Sequence, residues 1–218
     1  SDMYSIENHV WPDIDKFPVR ARNLASAIGR KLCDQAIWDG RAGTCHWVGA
    51  TVLDLNTVPP KSVQRALGGD LYNGSAGIAL FLSRLSEVEP DARFVETARG
   101  AISHALIWGE SAKNYHPLGA HSGTMGLVYV WSRMTNATRA WLARDSASAL
   151  IEQAKTSLTD PANPVLLDFL SGAAGAISIL LAIHRENPNA ALLEIAKRLG
   201  EEICARADWQ DEFCTWDP

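Results

Sequence analysis

The sequence predicts an all-α protein built as an α/α toroid, a double-layered helical barrel, or as a partial arc of one. A Gly-x-x-Gly step recurs three times, and its first glycines Gly74, Gly123 and Gly172 lie at a constant spacing of 49 residues. Each step opens a strongly apolar run, and each run is followed by an amphipathic segment. Repeats of this length indicate one supersecondary unit stacked on copies of itself.

The segment before the repeats divides into three parts. Residues 1–17 are interpreted as a tag and N-terminal extension, because the first three residues look like a cloning scar. Residues 18–38 carry apolar side chains at helical spacing, and Gly40 is expected to stop this helix. Residues 41–70 are expected to form an irregular loop that holds a short strand pair around Cys45–Leu55.

Three two-helix repeats are expected, at residues 70–108, 119–157 and 168–206. The first helix of each repeat is apolar nearly all round, so it should be buried on both sides in an inner layer. The second helix has charges on one face, so it should form an outer layer that faces water. The expected inner helices are 75–88, 124–134 and 173–185, and the outer ones are 92–108, 138–157 and 190–206.

The paired glycines lie at the expected starts of the inner helices. Two glycines three residues apart share one face of the first helical turn, and they let another backbone approach closely. Close packing alone would explain them. Alternatively, the N-termini of the inner helices jointly build a site at one mouth of the ring, with open N–H groups. The motif glycines are Gly74, Gly77, Gly123, Gly126, Gly172 and Gly175.

These motifs resemble those of the lanthionine synthetase C-like cyclases, most closely the cyclase domain of the class II (bifunctional) lanthipeptide synthetases. Residues 69–82, 122–126 and 167–175 are similar to the family's first, second and third glycine motifs. Residues 36–40, followed by 47–49, are similar to the segment that opens the class II cyclase domain. Each motif alone is weak, but the ordered set with even spacing is fairly specific.

The resemblance implies a cyclase of lanthipeptide (lantibiotic) biosynthesis with seven inner helices. A zinc ion held by two Cys and one His would activate a peptide cysteine thiol, which adds to dehydroalanine or dehydrobutyrine to form a thioether ring. A nearby His and Asp would handle the protons. Residues 18–218 would be the N-terminal part of this domain. The implied partners are a dehydrated precursor peptide and a complementing C-terminal half, or self-association.

The chain departs from the family pattern in its zinc ligands. The Cys-x-Gly and Cys-His-Gly settings of the family are absent, and a fourth glycine step would fall at about residue 221, past Pro218. Zinc is therefore expected for the complete domain, with ligands that are not in this chain. The sequence also has Asn73 where the family usually has Asp.

Asp168 is the leading catalytic candidate. It lies four residues before Gly172, where the resemblance places an acid implicated in catalysis, and a helix N-terminus favours an ionised carboxylate. A helix cap or loop anchor is the equal alternative. Asp70 occupies the same repeat position. His121 is a weaker candidate, as a general base lining the mouth, because a packing role is more common. The expected substrate-binding residues are Tyr72, Asn73, Ser122 and Ser171.

The cysteines and tryptophans give weaker signals. Cys45 and His46 are adjacent, as in the family's zinc site, but no third ligand is identifiable, so a metal site here is the minority interpretation. Cys204 and Cys214 have no metal-ligand spacing, and Cys33 is expected in the core. Core packing is also expected for the tryptophans Trp108, Trp131 and Trp209.

Composition excludes several classes of protein. A net charge of −5 and the lack of a Lys/Arg run argue against a nucleic-acid partner. No apolar run reaches the roughly 18 residues of a membrane span, and the four cysteines do not form a secreted disulfide framework. The cytoplasm is the expected compartment. Two alternatives to a cyclase remain: a non-catalytic peptide- or partner-binding module, and an α/α-barrel carbohydrate enzyme using Asp70 and Asp168.

Overall fold

The computed structural model describes residues 17–54, 61–111, 118–139, 149–152, 155–156 and 165–216. The helices are α1 (Phe17–Gln35), α2 (Ser75–Val88), α3 (Ala92–Ser111), α4 (Thr124–Arg133), α5 (Asn136–Arg139), α6 (Ala173–Glu186) and α7 (Ala190–Ala205), and residues 149–152 and 155–156 are also helical. Three antiparallel hairpins accompany them: β1 (Ile37–Asp39) with β2 (Thr44–His46), β3 (Val48–Asp54) with β4 (Lys61–Ala66), and β5 (Asp208–Gln210) with β6 (Phe213–Thr215).

The helices form the two predicted layers. The inner helices α2, α4 and α6 lie side by side, α3 packs outside α2, α7 packs outside α6, and α1 contacts both α2 and α3. This arrangement confirms a mostly helical arc of repeats, to which the hairpins are additions. The outer helix predicted at 138–157 falls largely outside the described residues. None of the described helices combines the length and apolar character that a membrane crossing requires.

The core lies in the seam between the layers. Leu82 from α2 and Phe94 and Ile102 from α3 are fully buried there. Burial on both sides of the inner helices is wrong for part of α6, because Leu181 is 40% exposed and Ser178 is also exposed. Helix α6 therefore has more apolar surface than the described residues bury.

The second glycine of each step is required by a close backbone approach. A Cβ atom at any of these three positions would collide with the carbonyl oxygen of the residue six positions earlier. Real Cβ atoms do not tolerate such contacts, and a backbone carbonyl has little freedom to withdraw. The colliding pairs are Gly77 with Leu71, Gly126 with Ala120 and Gly175 with Phe169.

The first helix ends earlier than predicted. Helix α1 stops at Gln35, and Gly40 lies in the turn of the β1–β2 hairpin. The indole Nε1 of Trp47 donates to the carbonyl oxygen of Leu32 at 2.9 Å, which satisfies a carbonyl in the last turn of α1. Residues 37–39 then pair with 44–46, so a tertiary contact overrides the helical periodicity of this segment.

The other strands also differ from the sequence prediction. A strand pair was expected around Cys45–Leu55, and the structure shows two hairpins that share this region, β1–β2 and β3–β4. The hairpin β5–β6 after α7 was not predicted. Trp209 in β5 is 67% exposed, so its predicted core position is wrong. Trp108 packs against Gly68 and Gly69.

We predict opposite effects on stability for two glycine-to-alanine substitutions in helices. Gly126→Ala should destabilise the chain by about 1–3 kcal/mol, because the new Cβ would lie 2.5 Å from the carbonyl oxygen of Ala120. Gly200→Ala in α7 should stabilise by about 0.5–1 kcal/mol, since a Cβ there meets nothing within 4 Å. Urea unfolding of both variants measures the difference. Equal effects would contradict the packing explanation.

Candidate functional site at the inner helix N-termini

The three inner helices start side by side at one mouth of the arc. Gly74, Gly123 and Gly172 are their N-cap residues, all with extended backbone, which confirms the predicted helix starts. Two backbone hydrogen bonds connect consecutive repeats just before these caps. The N–H of Tyr72 donates to the carbonyl of His121 at 3.1 Å, and the N–H of His121 donates to the carbonyl of Leu170 at 3.0 Å.

These two bonds form a ladder with one step per repeat. Tyr72, His121 and Leu170 each lie two residues before the first motif glycine, so the ladder joins equivalent positions of the three repeats. Residues at neighbouring positions in the motif are thereby brought into line across the mouth. The sequence spacing indicated that the motifs are equivalent, but gave no sign of a direct backbone connection.

Several N–H groups of the first helical turns are already used by the preceding loops. Ser75 donates to the carbonyl of Gly68 at 2.9 Å, and Ala173 donates to Leu166 at 2.8 Å. In the second repeat, Gly126 donates to the Gly119 carbonyl at 3.1 Å. A site made of open first-turn amides is therefore not supported at these groups. Close packing explains the motif glycines, and side chains must supply any chemistry at the mouth.

An aromatic row crosses the mouth, formed by Tyr72, His121 and Phe169, and we call it the mouth strip. The ring centroids of Tyr72 and His121 lie 6.3 Å apart in an edge-to-face arrangement, and those of His121 and Phe169 lie 5.7 Å apart. Tyr72 is 76% exposed and Phe169 is 51% exposed. The strip is thus an accessible, largely apolar surface with one imidazole ring at its centre.

His121 lies at the centre of the mouth strip. Its ring is half-buried between the two aromatic rings, and its Nδ1 atom is buried with no hydrogen-bond partner among the described residues. A buried nitrogen without a partner is uncommon in proteins. The ring is thus positioned by packing, and its role as a general base stays a prediction.

The predicted polar substrate-binding residues are paired with one another or with the motif. The hydroxyl oxygens of Ser122 and Ser171 lie 2.9 Å apart, which links the second and third repeats. The backbone N–H of Asn73 donates to Asp70 Oδ1 at 2.8 Å, and its side-chain amide, oriented with nitrogen toward the acid, contacts the same carboxylate. The contribution of Asn73, Ser122 and Ser171 to substrate binding stays a prediction.

The Asp168 carboxylate is exposed and anchors its own turn. Its Oδ1 atom accepts hydrogen bonds from the N–H groups of Leu170 at 2.7 Å and Ser171 at 2.8 Å. The structural role predicted as the alternative, an anchor of the loop, is therefore present. The exposed position of the carboxylate is also compatible with a catalytic role. Asp70 differs, because it is buried beside its own turn. The second repeat has Gly119 at this position.

Comparison with known families identifies the fold. The family model described as lanthionine synthetase C-like protein matches residues 65–218, well over half of the chain. The chain belongs to this family. The match begins just before the first glycine motif and includes all three repeats. No curated protein matches the chain in sequence.

The described part of this lanthionine synthetase C-like chain does not offer a zinc site. No group of three His, Cys, Asp or Glu side chains within it is placed to hold a metal ion. Cys45 is fully buried and its thiol donates to the carbonyl of Thr97 at 3.4 Å. Burial raises the pKa of this thiol to about 12, which disfavours the thiolate that binds zinc. The adjacent His46 stacks on the ring of His104 instead.

The His46–His104 pair lies behind the start of the first inner helix. The ring centroids are 5.3 Å apart, and His104 Nδ1 lies 2.8 Å from the hydroxyl of Ser75, the first residue of α2. Burial lowers the pKa of His104 below its ordinary 6.5, and the nearby His46 lowers it further. This contact ties the opening hairpin and α3 to the first helix of the mouth.

We predict that His104 makes folding sensitive to mild acid. Its pKa is depressed in the folded state, so below about pH 6.5 the unfolded chain takes up a proton that the folded chain does not. Stability is therefore lost as the pH falls from 6.5 toward the folded pKa. In His104→Asn this loss should be smaller, as measured by urea unfolding between pH 7.5 and 5.5. Equal losses in wild type and variant would refute the assignment.

We also predict that two substitutions separate the structural and chemical roles of Asp168. Asp168→Ala should destabilise by about 0.5–2 kcal/mol, because the acceptor for two backbone N–H groups is removed. Asp168→Asn keeps an acceptor oxygen and should lose much less. Thermal unfolding of the two variants provides the measurement. If Asn destabilises as much as Ala, the charge itself holds the turn.

Proposed function

We propose that this chain is part of a lanthionine synthetase, a cyclase that forms thioether rings in dehydrated precursor peptides in the cytoplasm. The observation that carries the proposal is the family match together with three inner helix starts aligned at one mouth. The aligned starts place an exposed aromatic strip and an exposed carboxylate on the same set of motifs. Thioether ring formation requires a bound peptide and a proton-transfer group close to each other.

The reaction is the addition of a cysteine thiol to a dehydrated residue. The thiol loses its proton to a base, and the sulfur forms a bond to Cβ of dehydroalanine or dehydrobutyrine. The electron pair of the Cα=Cβ bond passes to the carbonyl as an enolate, and a proton then returns to Cα. No atom is gained or lost overall. Asp168 is our choice for one of these proton-transfer steps, and His121 is the second choice.

The family's zinc chemistry is not assigned to these residues. The described residues do not fit a zinc site of two Cys and one His. The Cys45 thiol donates a hydrogen bond to a backbone carbonyl, and no third ligand among the described residues joins Cys45 and His46. A complementing C-terminal half would have to supply such ligands. We therefore derive only the peptide-binding and proton-handling contributions of this chain.

The mouth strip is the part of this chain best suited to hold a peptide. Tyr72 and Phe169 present exposed rings on both sides of His121, and aromatic side chains contribute strongly to peptide recognition. The pairing of Ser122 with Ser171 keeps the second and third starts together. Apolar peptide side chains would pack on the two rings.

A non-catalytic peptide-binding module is the second candidate. It is favoured by the poor fit of the donor set to zinc, and it would use the same mouth strip. A carbohydrate enzyme is disfavoured, because Asp70 is buried against its own turn and does not line an open groove with Asp168.

Peptide binding to the purified chain is the first test. Fluorescence anisotropy with a labelled, dehydrated, cysteine-containing peptide should show binding, and Tyr72→Ala and Phe169→Ala should each weaken it by about tenfold. Phe213→Ala is the matched control, since Phe213 is an aromatic of similar exposure (75%) on the β5–β6 hairpin. An equal loss in all three variants, or no binding at all, would contradict the proposal.

Chemistry is tested with a separately expressed C-terminal half of a family cyclase domain. Loss of free peptide thiol without a change of mass reports ring formation. Asp168→Asn should abolish this loss while it keeps the fold, because the variant retains the turn but not the base. Binding without thiol loss in the wild-type mixture would favour the binding module instead.

A further inference from the structure

The imidazole of His121 has one buried nitrogen and one nitrogen that is open to solvent. Its Nδ1 atom is buried and has no hydrogen-bond partner among the described residues. Its Nε2 atom, on the far edge of the ring, is not one of the buried unpartnered atoms, and no hydrogen bond of the described residues uses it. The half-buried ring therefore exposes Nε2 at the mouth strip.

Packing and the backbone hold the ring in this position without giving Nδ1 a partner. The rings of Tyr72 and Phe169 lie on its two sides, with centroids at 6.3 and 5.7 Å, and aromatic faces are at most weak hydrogen-bond acceptors. The N–H of His121 donates to the carbonyl of Leu170, and its own carbonyl accepts from Tyr72. The repeat geometry itself thus sets which nitrogen is buried.

This asymmetry decides where the ring proton is favoured. A neutral imidazole has one N–H group and one nitrogen that only accepts. A buried N–H without an acceptor is rare in proteins, whereas an N–H on an exposed nitrogen reaches water or a ligand. The surroundings of His121 therefore favour the proton on Nε2. A base for a peptide thiol needs its lone pair on the exposed nitrogen, and here the lone pair is on the buried one.

We propose that His121 acts at the mouth as a hydrogen-bond donor, and that its Nε2–H binds the carbonyl oxygen of a dehydrated residue of the peptide. This inference rests on the proposed function for its ligand, and it gives His121 a role different from that of a base. The C=C–C=O group of a dehydrated residue is planar. The exposed rings of Tyr72 and Phe169 provide flat apolar faces on both sides of the donor.

A donor at the carbonyl oxygen stabilises the charge that thiol addition creates. As the S–Cβ bond forms, the π bond between Cα and Cβ breaks, and its electrons pass to the carbonyl oxygen as an enolate. The hydrogen bond from Nε2–H strengthens as this charge develops, because an oxyanion is a stronger acceptor than a neutral carbonyl. His121 keeps its proton throughout. The proton of the thiol reaches Cα through another group, for which Asp168 is our choice.

The backbone places this donor next to the candidate proton-transfer group. The carbonyl of Leu170 accepts from the N–H of His121 at 3.0 Å, and the N–H of Leu170 donates to Asp168 Oδ1 at 2.7 Å. His121 and Asp168 are thus attached to the two sides of one residue. A donor and a proton-transfer group in neighbouring positions match the carbonyl oxygen and Cα, the two atoms that share the charge of an enolate.

Imidazole NMR of the free chain tests the position of the proton without any ligand. In 15N-labelled protein near neutral pH, long-range proton–nitrogen correlations distinguish a protonated ring nitrogen from an unprotonated one. The signals that disappear in His121→Gln assign the ring. We expect the proton on Nε2. A proton on Nδ1, or equal populations at the two nitrogens, would overturn the proposal.

Two substitutions test the donor in the presence of the labelled, dehydrated peptide. His121→Phe keeps an aromatic ring and removes the donor, whereas His121→Gln keeps an N–H donor. The phenylalanine variant should bind the peptide about fivefold more weakly than wild type, and the glutamine variant within about twofold of it. With the separately expressed C-terminal half, the glutamine variant should keep most of the rate of thiol loss. Equal binding by all three proteins, or thiol loss abolished by glutamine, would contradict a donor role.

The combined outcomes separate this inference from the proposed function. Peptide binding by the wild-type chain together with a proton on Nδ1 would overturn the inference and leave the proposed function intact. No peptide binding together with a proton on Nε2 would contradict the proposed function and remove the ligand assigned to His121, although the exposed donor would remain.

Discussion

The close approach of a loop carbonyl to the second glycine of each step is the constraint on which the rest of the structure depends. It fixes how each connecting loop enters its inner helix, at Gly77, Gly126 and Gly175 alike. Because the three entries are equivalent, the residues just before them meet at one mouth. The backbone ladder and the mouth strip are both consequences of that repeated entry geometry.

The same constraint separates packing from function within one motif. The glycines and several first-turn amides serve the loop contacts, so they have no capacity left for a ligand. The backbones of Tyr72, His121 and Phe169 take part in the loop contacts and the ladder, but their side chains do not. A repeat protein can thus keep its architecture in the glycines and leave the side chains before them free to differ.

The helices could be predicted because local and global signals agree. The inner helices α2, α4 and α6 have an apolar period, a glycine at the cap and a constant spacing, and their predicted ends differ from the structure by one residue or less. Helix α1 was predicted too long because the indole of Trp47, 15 residues away in sequence, donates a hydrogen bond to the carbonyl of Leu32 in its last turn. Periodicity within a window contains no information about such a contact.

The candidate site could be predicted only in part. Spacing located Asp168 and His121 at helix starts, but whether the acid is buried or exposed depends on how its turn packs, and Asp70 and Asp168 differ in just this respect. The adjacent Cys45 and His46 look like metal ligands in sequence. In the structure both contact helix α3, Cys45 through the carbonyl of Thr97 and His46 through the ring of His104, and the described residues bring no third ligand to them.

The ladder across the mouth has a direction. Every step takes its N–H from one repeat and its carbonyl from the following one, so the N–H of Leu170 is the next donor position of the series. Asp168 now accepts from that N–H. A carbonyl that took the next step of the ladder would therefore release the carboxylate from one of its two backbone partners. The ladder and the hydrogen bonding of this acid are in this way linked through a single amide proton.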